Sequence, residues 1–72
     1  MNKIIKIVSQ VLNVDQKKIN IESNSNQIKN WDSFANVKII IAMERELKIK
    51  IKSKDYPNLN SIKGLIKIFE NN

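Results

Sequence analysis

The chain lacks cysteine and histidine entirely, and it contains one glycine, Gly64, and one proline, Pro57. The two absences exclude disulfides, thiolate nucleophiles, Cys/His metal sites and histidine acid–base catalysis. The scarcity of glycine and proline argues against a β domain with many tight turns. Helices joined by polar loops are therefore the expected architecture.

The length of 72 residues predicts a single domain over residues 1–72 with a thin stability margin. The sequence offers no nucleophile–base pair, metal cluster or phosphate-binding loop, so we expect a monomeric carrier or binding module, not an enzyme. A secreted domain of this size would usually need cross-links, which favours the cytoplasm. No targeting segment is expected, and the longest apolar run, Ile39 to Met43, is too short for a membrane span.

The formal net charge of +6 raises nucleic-acid binding as an alternative function of a different class. Twelve of the thirteen basic residues are lysine, however, and only Arg45 is an arginine. Proteins that read bases favour arginine, whose planar fork makes bidentate contacts, and these lysines are dispersed along the chain. Abundant lysine, isoleucine and asparagine indicate coding from an AT-rich genome, and no nucleic-acid partner is expected.

Apolar residues at helical spacing predict an all-α fold with three main helices. The first covers about residues 2–13, the second runs from Ser33 to about Leu47 behind an Asp32 N-cap, and the last runs to about Glu70 behind Asn60 or Ser61. The predicted apolar stripes are Ile4, Ile5, Val8, Val11 and Leu12 in the first helix, with Ile7 off the stripe, and Ile62, Leu65, Ile66 and Phe69 in the last. Gly64 inside the last helix either allows close packing or has no role.

The segments between the helices are expected to be mostly irregular. Residues 14–31 form a long polar loop pinned by scattered apolar side chains, with a β-hairpin around Ile19 and Ile21 as the alternative. Residues 49–52 alternate in polarity but have no partner strand, so they are interpreted as an extended linker. Residues 55–58 predict a turn or one short helical turn. The whole is a four-helix bundle whose third helix is short.

The second helix carries two apolar faces. At about 100° per residue, Phe34, Val37 and Ile41 lie on one side, while a second set lies opposite. That opposite set comprises Ile39, Ile40, Met43 and Leu47. Either the long loop covers the first face, or the face is an exposed docking patch for a partner protein. Lys38, Arg45 and Lys48 lie near the same direction, with Glu44 at its edge, which gives the patch a mainly basic rim.

The segment Trp31-Asp32-Ser33-Phe34 resembles the acyl carrier protein family at the start of its second helix. That family has an Asp-Ser-Leu signature there, and phenylalanine stands here in place of leucine. The resemblance covers nearly the whole chain, and the further matching positions are Val14, Asp15, Ile19, Val37, Ile40, Met43, Glu44, Leu47, Ile49, Ile51, Asn60, Ser61 and Ile62. The three-residue motif alone is unspecific, but it agrees with the helix order, loop length and chain length.

The resemblance implies that Ser33 receives a 4′-phosphopantetheine arm from coenzyme A, attached by a phosphopantetheinyl transferase that uses Mg²⁺. The arm ends in a thiol that holds acyl groups as thioesters, so the reactive sulfur is imported and the chain needs no cysteine. Asp32 supports this site by capping the helix or orienting Ser33. The positive end of the helix dipole favours the attached phosphate.

The resemblance also implies partners and cargo. The partners would be the transferase and the acyl-loading and acyl-transfer enzymes of fatty-acid, polyketide or other specialised biosynthesis. The residues that would contact these partners are Phe34, Val37, Lys38, Ile41, Glu44 and Arg45. An aminoacyl, D-alanyl or peptidyl carrier is the alternative within the family. Family members are usually acidic along the second helix, whereas this chain has Ala35, Lys38 and Arg45 there. This departure and Trp31 favour a specialised stand-alone carrier.

Overall fold

Three α-helices and two short 3₁₀ helices make up the regular structure in the computed structural model, which describes residues 2–71. They are α1 (Asn2–Leu12), the 3₁₀ helix Gln16–Lys18, α2 (Ser33–Leu47), the 3₁₀ helix Ser53–Asn58 and α3 (Ile62–Glu70). No strand forms within residues 2–71, where β pairing is limited to one antiparallel bridge between Asn24 and Ser61. The predicted all-α fold with a short third helix is confirmed, and the hairpin alternative is wrong.

Side-chain caps explain where α2 and α3 begin. The Asp32 carboxylate accepts a hydrogen bond from the Ala35 N–H at 2.8 Å, and the Ser61 hydroxyl accepts one from the Gly64 N–H at 3.0 Å. Each bond satisfies one of the backbone donors that the first turn leaves without a partner. Asp32 is the predicted cap, and the choice left open between Asn60 and Ser61 is settled in favour of Ser61.

The first two α-helices end on residues with left-handed backbone. Asn13 follows α1 with φ of 56°, and the next N–H, that of Val14, donates to the Ser9 carbonyl at 3.0 Å. This is the hydrogen bond of a Schellman motif, for which glycine is the usual residue and asparagine a tolerated one. Lys48 ends α2 with the same φ of 56°, which is a less favourable choice of residue.

The core lies where α1 meets both of the other α-helices. Its buried apolar side chains are Ile4, Ile7, Val8, Leu12, Ile19, Trp31, Ile39, Ile40, Met43, Ile51, Leu59, Ile62 and Leu65. The interpretation of Ile7 as lying off the buried stripe is wrong, because packing against two helices buries a wider arc of α1 than one stripe. Phe69 was predicted on the buried stripe of α3, yet it is partly exposed in the last turn of that helix.

Gly64 brings α3 against the preceding 3₁₀ helix. A Cβ atom at this position would collide with the backbone oxygen of Asn58, which a backbone cannot easily move aside. Of the two roles left open for this glycine, close packing is therefore the correct one. Glycine at this helix position lowers the free energy of unfolding by about 1 kcal/mol relative to alanine, and the close contact is what it makes possible.

Backbone hydrogen bonds pin the long loop between α1 and α2 to the start of α3. The Ser25 N–H donates to the Asn60 carbonyl at 2.9 Å, and the Ile62 N–H donates to the Ser23 carbonyl at 3.0 Å. Near its end, the loop is tied to α1 by the Asn30 side-chain amide, which donates to the Leu12 carbonyl at 3.2 Å. The loop is thus ordered by polar contacts as well as by its scattered apolar residues. None of the helices in residues 2–71 has the length and apolar character needed to span a membrane.

Candidate functional site

Ser33 is the first residue of α2, and its side chain is exposed. The Ala35 N–H is taken by the Asp32 side chain, and the Asn36 N–H donates to the Asp32 carbonyl at 2.9 Å. Within residues 2–71, no acceptor is hydrogen-bonded to the N–H groups of Ser33 and Phe34. Ser33 therefore presents a free hydroxyl beside two free backbone donors at the positive end of a helix.

Trp31, two residues before this serine, is buried and hydrogen-bonded. Trp31 is 2% exposed, its N–H donates to the Ile28 carbonyl at 3.0 Å, and its ring Nε1 donates to Asn36 Oδ1 at 2.9 Å. The second of these bonds crosses the helix start, since Trp31 precedes Asp32 and Asn36 lies in the first turn of α2. The segment that leads into Ser33 is therefore anchored by buried Trp31, and the helix that starts at Ser33 is capped by Asp32.

A surface cleft of about 280 Å³ opens next to Ser33. Its lining residues are Ser25, Trp31, Asp32, Ser33, Asn36 and Asn60. Ser25 and Asn60 reach the cleft because the backbone bond between them joins the long loop to the start of α3. The cleft therefore places hydroxyl and amide side chains, which can both donate and accept hydrogen bonds, along the space beside the serine.

The helix that begins at Ser33 continues into an exposed apolar face. Phe34, Val37 and Ile41 are 70%, 45% and 53% exposed. On the opposite side of α2, Leu47 is half-buried and the other three residues are buried, namely Ile39, Ile40 and Met43. The alternative that the long loop covers this face is therefore wrong. The ammonium of Lys38 lies 4.6 Å from the centroid of the Phe34 ring, a cation–π contact at the surface.

Glu44, predicted at the edge of this face, has a structural contact of its own. Its Oε2 accepts a hydrogen bond from the Ile51 N–H at 2.9 Å, and its side chain is half-buried. The contact holds the linker after α2 against that helix. Arg45, the next residue, is exposed.

No family model matches the chain. Its family is shown by similarity to an individual protein. The acyl carrier protein of Buchnera aphidicola subsp. Baizongia pistaciae (strain Bp) is 35% identical over 68 residues, which cover 94% of this chain and 87% of that protein. The chain belongs to the acyl carrier protein family. As a member of the acyl carrier protein family it has the general role of a carrier protein, and the resemblance deduced from the sequence is confirmed.

The residues around Ser33 fit the phosphopantetheine group that acyl carrier proteins generally bear. A primary hydroxyl is available for a phosphodiester bond, and the free N–H groups of Ser33 and Phe34 suit its negative charge. The polar cleft offers hydrogen-bonding partners for the amides of a pantetheine chain. These are features of the chain itself, and attachment of the group at Ser33 stays a prediction.

The structure brings Asp32, Ser33 and the exposed apolar face together at one end and one side of α2. Sequence reasoning missed the cleft residues Ser25, Asn36 and Asn60. The spacing between Trp31 and Asn36, across a predicted helix start, was a weak signal for one of them. Nothing local in the sequence indicates that Ser25 and Asn60 meet, because their contact depends on how the long loop packs against the start of α3.

Proposed function

We propose that Ser33 carries a 4′-phosphopantetheine arm and that the chain, as one carrier domain over residues 1–72, delivers acyl groups to biosynthetic enzymes. When bound, the arm supplies a terminal thiol that holds an acyl group as a thioester. The observation that carries the proposal is the exposed Ser33 hydroxyl at the capped start of α2, beside free backbone donors and a polar cleft. The candidate pathways are fatty-acid, polyketide or other specialised biosynthesis, and the cytoplasmic location expected from the sequence stays a prediction.

Ser33 is the nucleophile when the arm is attached. Its Oγ forms a bond to the phosphorus of coenzyme A that bears pantetheine, the pyrophosphate bond breaks, and adenosine 3′,5′-bisphosphate leaves. The hydroxyl proton would pass to a base of the transferase, and the transferase's Mg²⁺ would stabilise the negative charge of the departing bisphosphate. The chain itself lends position: Asp32 caps the turn that presents Ser33, and the N–H groups of Ser33 and Phe34 stabilise the phosphodiester charge.

The chain is in this proposal a substrate of enzymes and has no catalytic step of its own. Partner enzymes are met by the side of α2 next to Ser33, through Phe34, Val37, Lys38, Ile41 and Arg45, with Glu44 at the edge. Their exposure supports this assignment for the three apolar residues, because a small domain gains stability by burying such side chains when no partner requires them.

The test is the intact mass of the protein before and after incubation with coenzyme A, Mg²⁺ and a permissive phosphopantetheinyl transferase. The wild type should gain the mass of one phosphopantetheine, and Ser33→Ala should gain none. Ser53→Ala is the matched control, since Ser53 is also an exposed serine that begins a helical segment, and this variant should be modified like the wild type. A folded wild-type protein that stays unmodified by several transferases, at least one of them with an acidic docking surface, would contradict the proposal, and nucleic-acid binding would be tested next.

A further inference from the structure

The charges of α2 are separated by side of the helix. Lys38 and Arg45 point within about 40° of Phe34 and are exposed, two turns apart along the axis. Together with Phe34, Val37 and Ile41 they form a surface about 16 Å long, which is called here the outer face of α2. Positive charge thus accompanies the exposed apolar side chains over most of the helix.

The acidic residues of α2 lie at the edge of the outer face or outside it. Glu44 is half-buried and its carboxylate accepts a hydrogen bond from the Ile51 N–H. Glu46 lines a cleft on the α1 side of the helix, where Lys3 and Lys6 also lie. Within residues 2–71, neither carboxylate forms an ion pair with Lys38 or Arg45.

Lys38 places a positive charge directly beside an exposed apolar side chain of the outer face. Its ammonium lies over the Phe34 ring at 4.6 Å, so a surface that covers the ring also comes close to the positive charge. Burying an unpaired ammonium is costly, whereas a carboxylate at that place would pair with it and leave the ring free to enter an apolar pocket. An apolar pocket beside acidic side chains is the complementary surface.

We infer that the enzymes acting on this carrier dock on the outer face of α2 through an acidic surface that surrounds an apolar pocket. The inference rests on the proposed function, and it fixes the chemistry of the partner. Its sign is opposite to that implied by the family resemblance, in which partners use basic patches to bind acidic carriers. A transferase with a basic docking surface should therefore be a poor partner.

A charge-swap cycle tests this inference. One transferase is used in two forms, its native form with a basic carrier-docking surface and a form in which those basic residues are changed to glutamate. Each form is given wild-type carrier and the variant Lys38→Glu/Arg45→Glu, and the rate of mass gain at Ser33 is measured at low and high salt. The cycle cancels any loss of intrinsic activity in the altered enzyme, because only the coupling between the two surfaces remains.

We expect the native transferase to modify Lys38→Glu/Arg45→Glu at least about tenfold faster than wild type, and the charge-reversed form to show the opposite preference. Salt should accelerate the mismatched pairs and slow the matched ones, because screening weakens repulsion as well as attraction. Faster modification of the wild type by the basic surface would overturn the inference while leaving the proposed function intact. Complete absence of modification at Ser33 in every pair would contradict the proposed function itself.

A second variant separates a local docking effect from the effect of total charge. Lys17→Glu/Lys18→Glu makes the same change in net charge, but both lysines are exposed on the 3₁₀ helix Gln16–Lys18, outside α2. It should change the rates less than threefold in either form of the transferase. An effect as large as that of Lys38→Glu/Arg45→Glu would mean that overall charge, and not the outer face, controls the encounter, and the inference would be wrong.

Discussion

The two sides of α2 both carry large apolar residues, but one side is mostly buried and the other is exposed. Ile39 and Ile40 are 0% and 1% exposed, whereas Ile41, the next residue, is 53% exposed. Burial of a large aliphatic side chain is worth about 1.5–3 kcal/mol, so the inner side stabilises the fold and the outer side forgoes that gain. The inner side specifies the bundle, and partner recognition is the role that we propose for the outer side.

The strongest test of this contrast is the pair Ile40→Ala and Ile41→Ala. Ile40→Ala should lower the free energy of unfolding by about 2–5 kcal/mol, because it leaves a cavity in the core. Ile41→Ala removes the same atoms from the surface and should change that free energy by less than about 0.5 kcal/mol. Urea denaturation followed by far-UV circular dichroism measures both. Equal losses in the two variants would mean that the outer side contributes to stability, and the contrast would fail.

The next test concerns Gly64, where α3 packs closely against a backbone oxygen of the preceding 3₁₀ helix. Gly64→Ala should lower the free energy of unfolding by a net amount of about 1–2 kcal/mol, since overpacking against the Asn58 carbonyl outweighs the gain in helix propensity. Lys67→Ala, at an exposed position of the same helix, is the control and should have little effect. A more stable Gly64→Ala protein in thermal denaturation would show that the contact has no packing role.

Asp32 precedes α2 as its N-cap, and its substitution should have an intermediate effect. Asp32→Ala removes the bond to the Ala35 N–H and should lower the free energy of unfolding by about 1 kcal/mol. Asp32→Asn keeps a side-chain oxygen for this bond, so it should be close to wild type in thermal stability. If both variants lose the same stability, the charge of the carboxylate matters and the cap does not.

The smallest effect on stability is expected on the outer side itself. Phe34→Ser should leave the free energy of unfolding within about 0.5 kcal/mol of wild type, because 70% of the ring is exposed. The same variant should slow phosphopantetheine transfer to Ser33 several-fold, since aromatic side chains are enriched in protein interfaces and Phe34 adjoins the modified serine. Unchanged transfer kinetics, measured by intact mass over time, would remove Phe34 from the recognition surface.

Local patterns were enough to predict most of the helical framework. The apolar period and the capping residues predicted the starts of α2 and α3, because capping depends on residues within one turn of each other. Asp32 was predicted as a single choice, whereas Ser61 was one of two candidates beside Asn60. The two apolar sides of α2 also followed from angles along one helix. Ser33 was predicted as the attachment site from the family resemblance, and that role stays a prediction. The structure adds the exposure of its side chain and the free N–H groups beside it.

The remaining features depend on contacts between distant segments. Ile7 is buried because α1 packs against two helices, which a single-helix projection does not represent. The cleft beside Ser33 requires Ser25 and Asn60 to meet, and the role of Glu44 requires the linker to return past α2. Each of these contacts is set by loop paths, and loop paths have no periodic pattern from which they could be predicted.

Trp31 gives the molecule an optical property. It is the only tryptophan in the chain, it is buried, and its ring nitrogen is hydrogen-bonded to Asn36 in the first turn that presents Ser33. Indole emission responds to the polarity and hydrogen bonding of its surroundings, so the light emitted by the unlabelled protein reports on the cleft beside Ser33. A change in what occupies that cleft could thus be followed in real time, without a dye and without altering a residue.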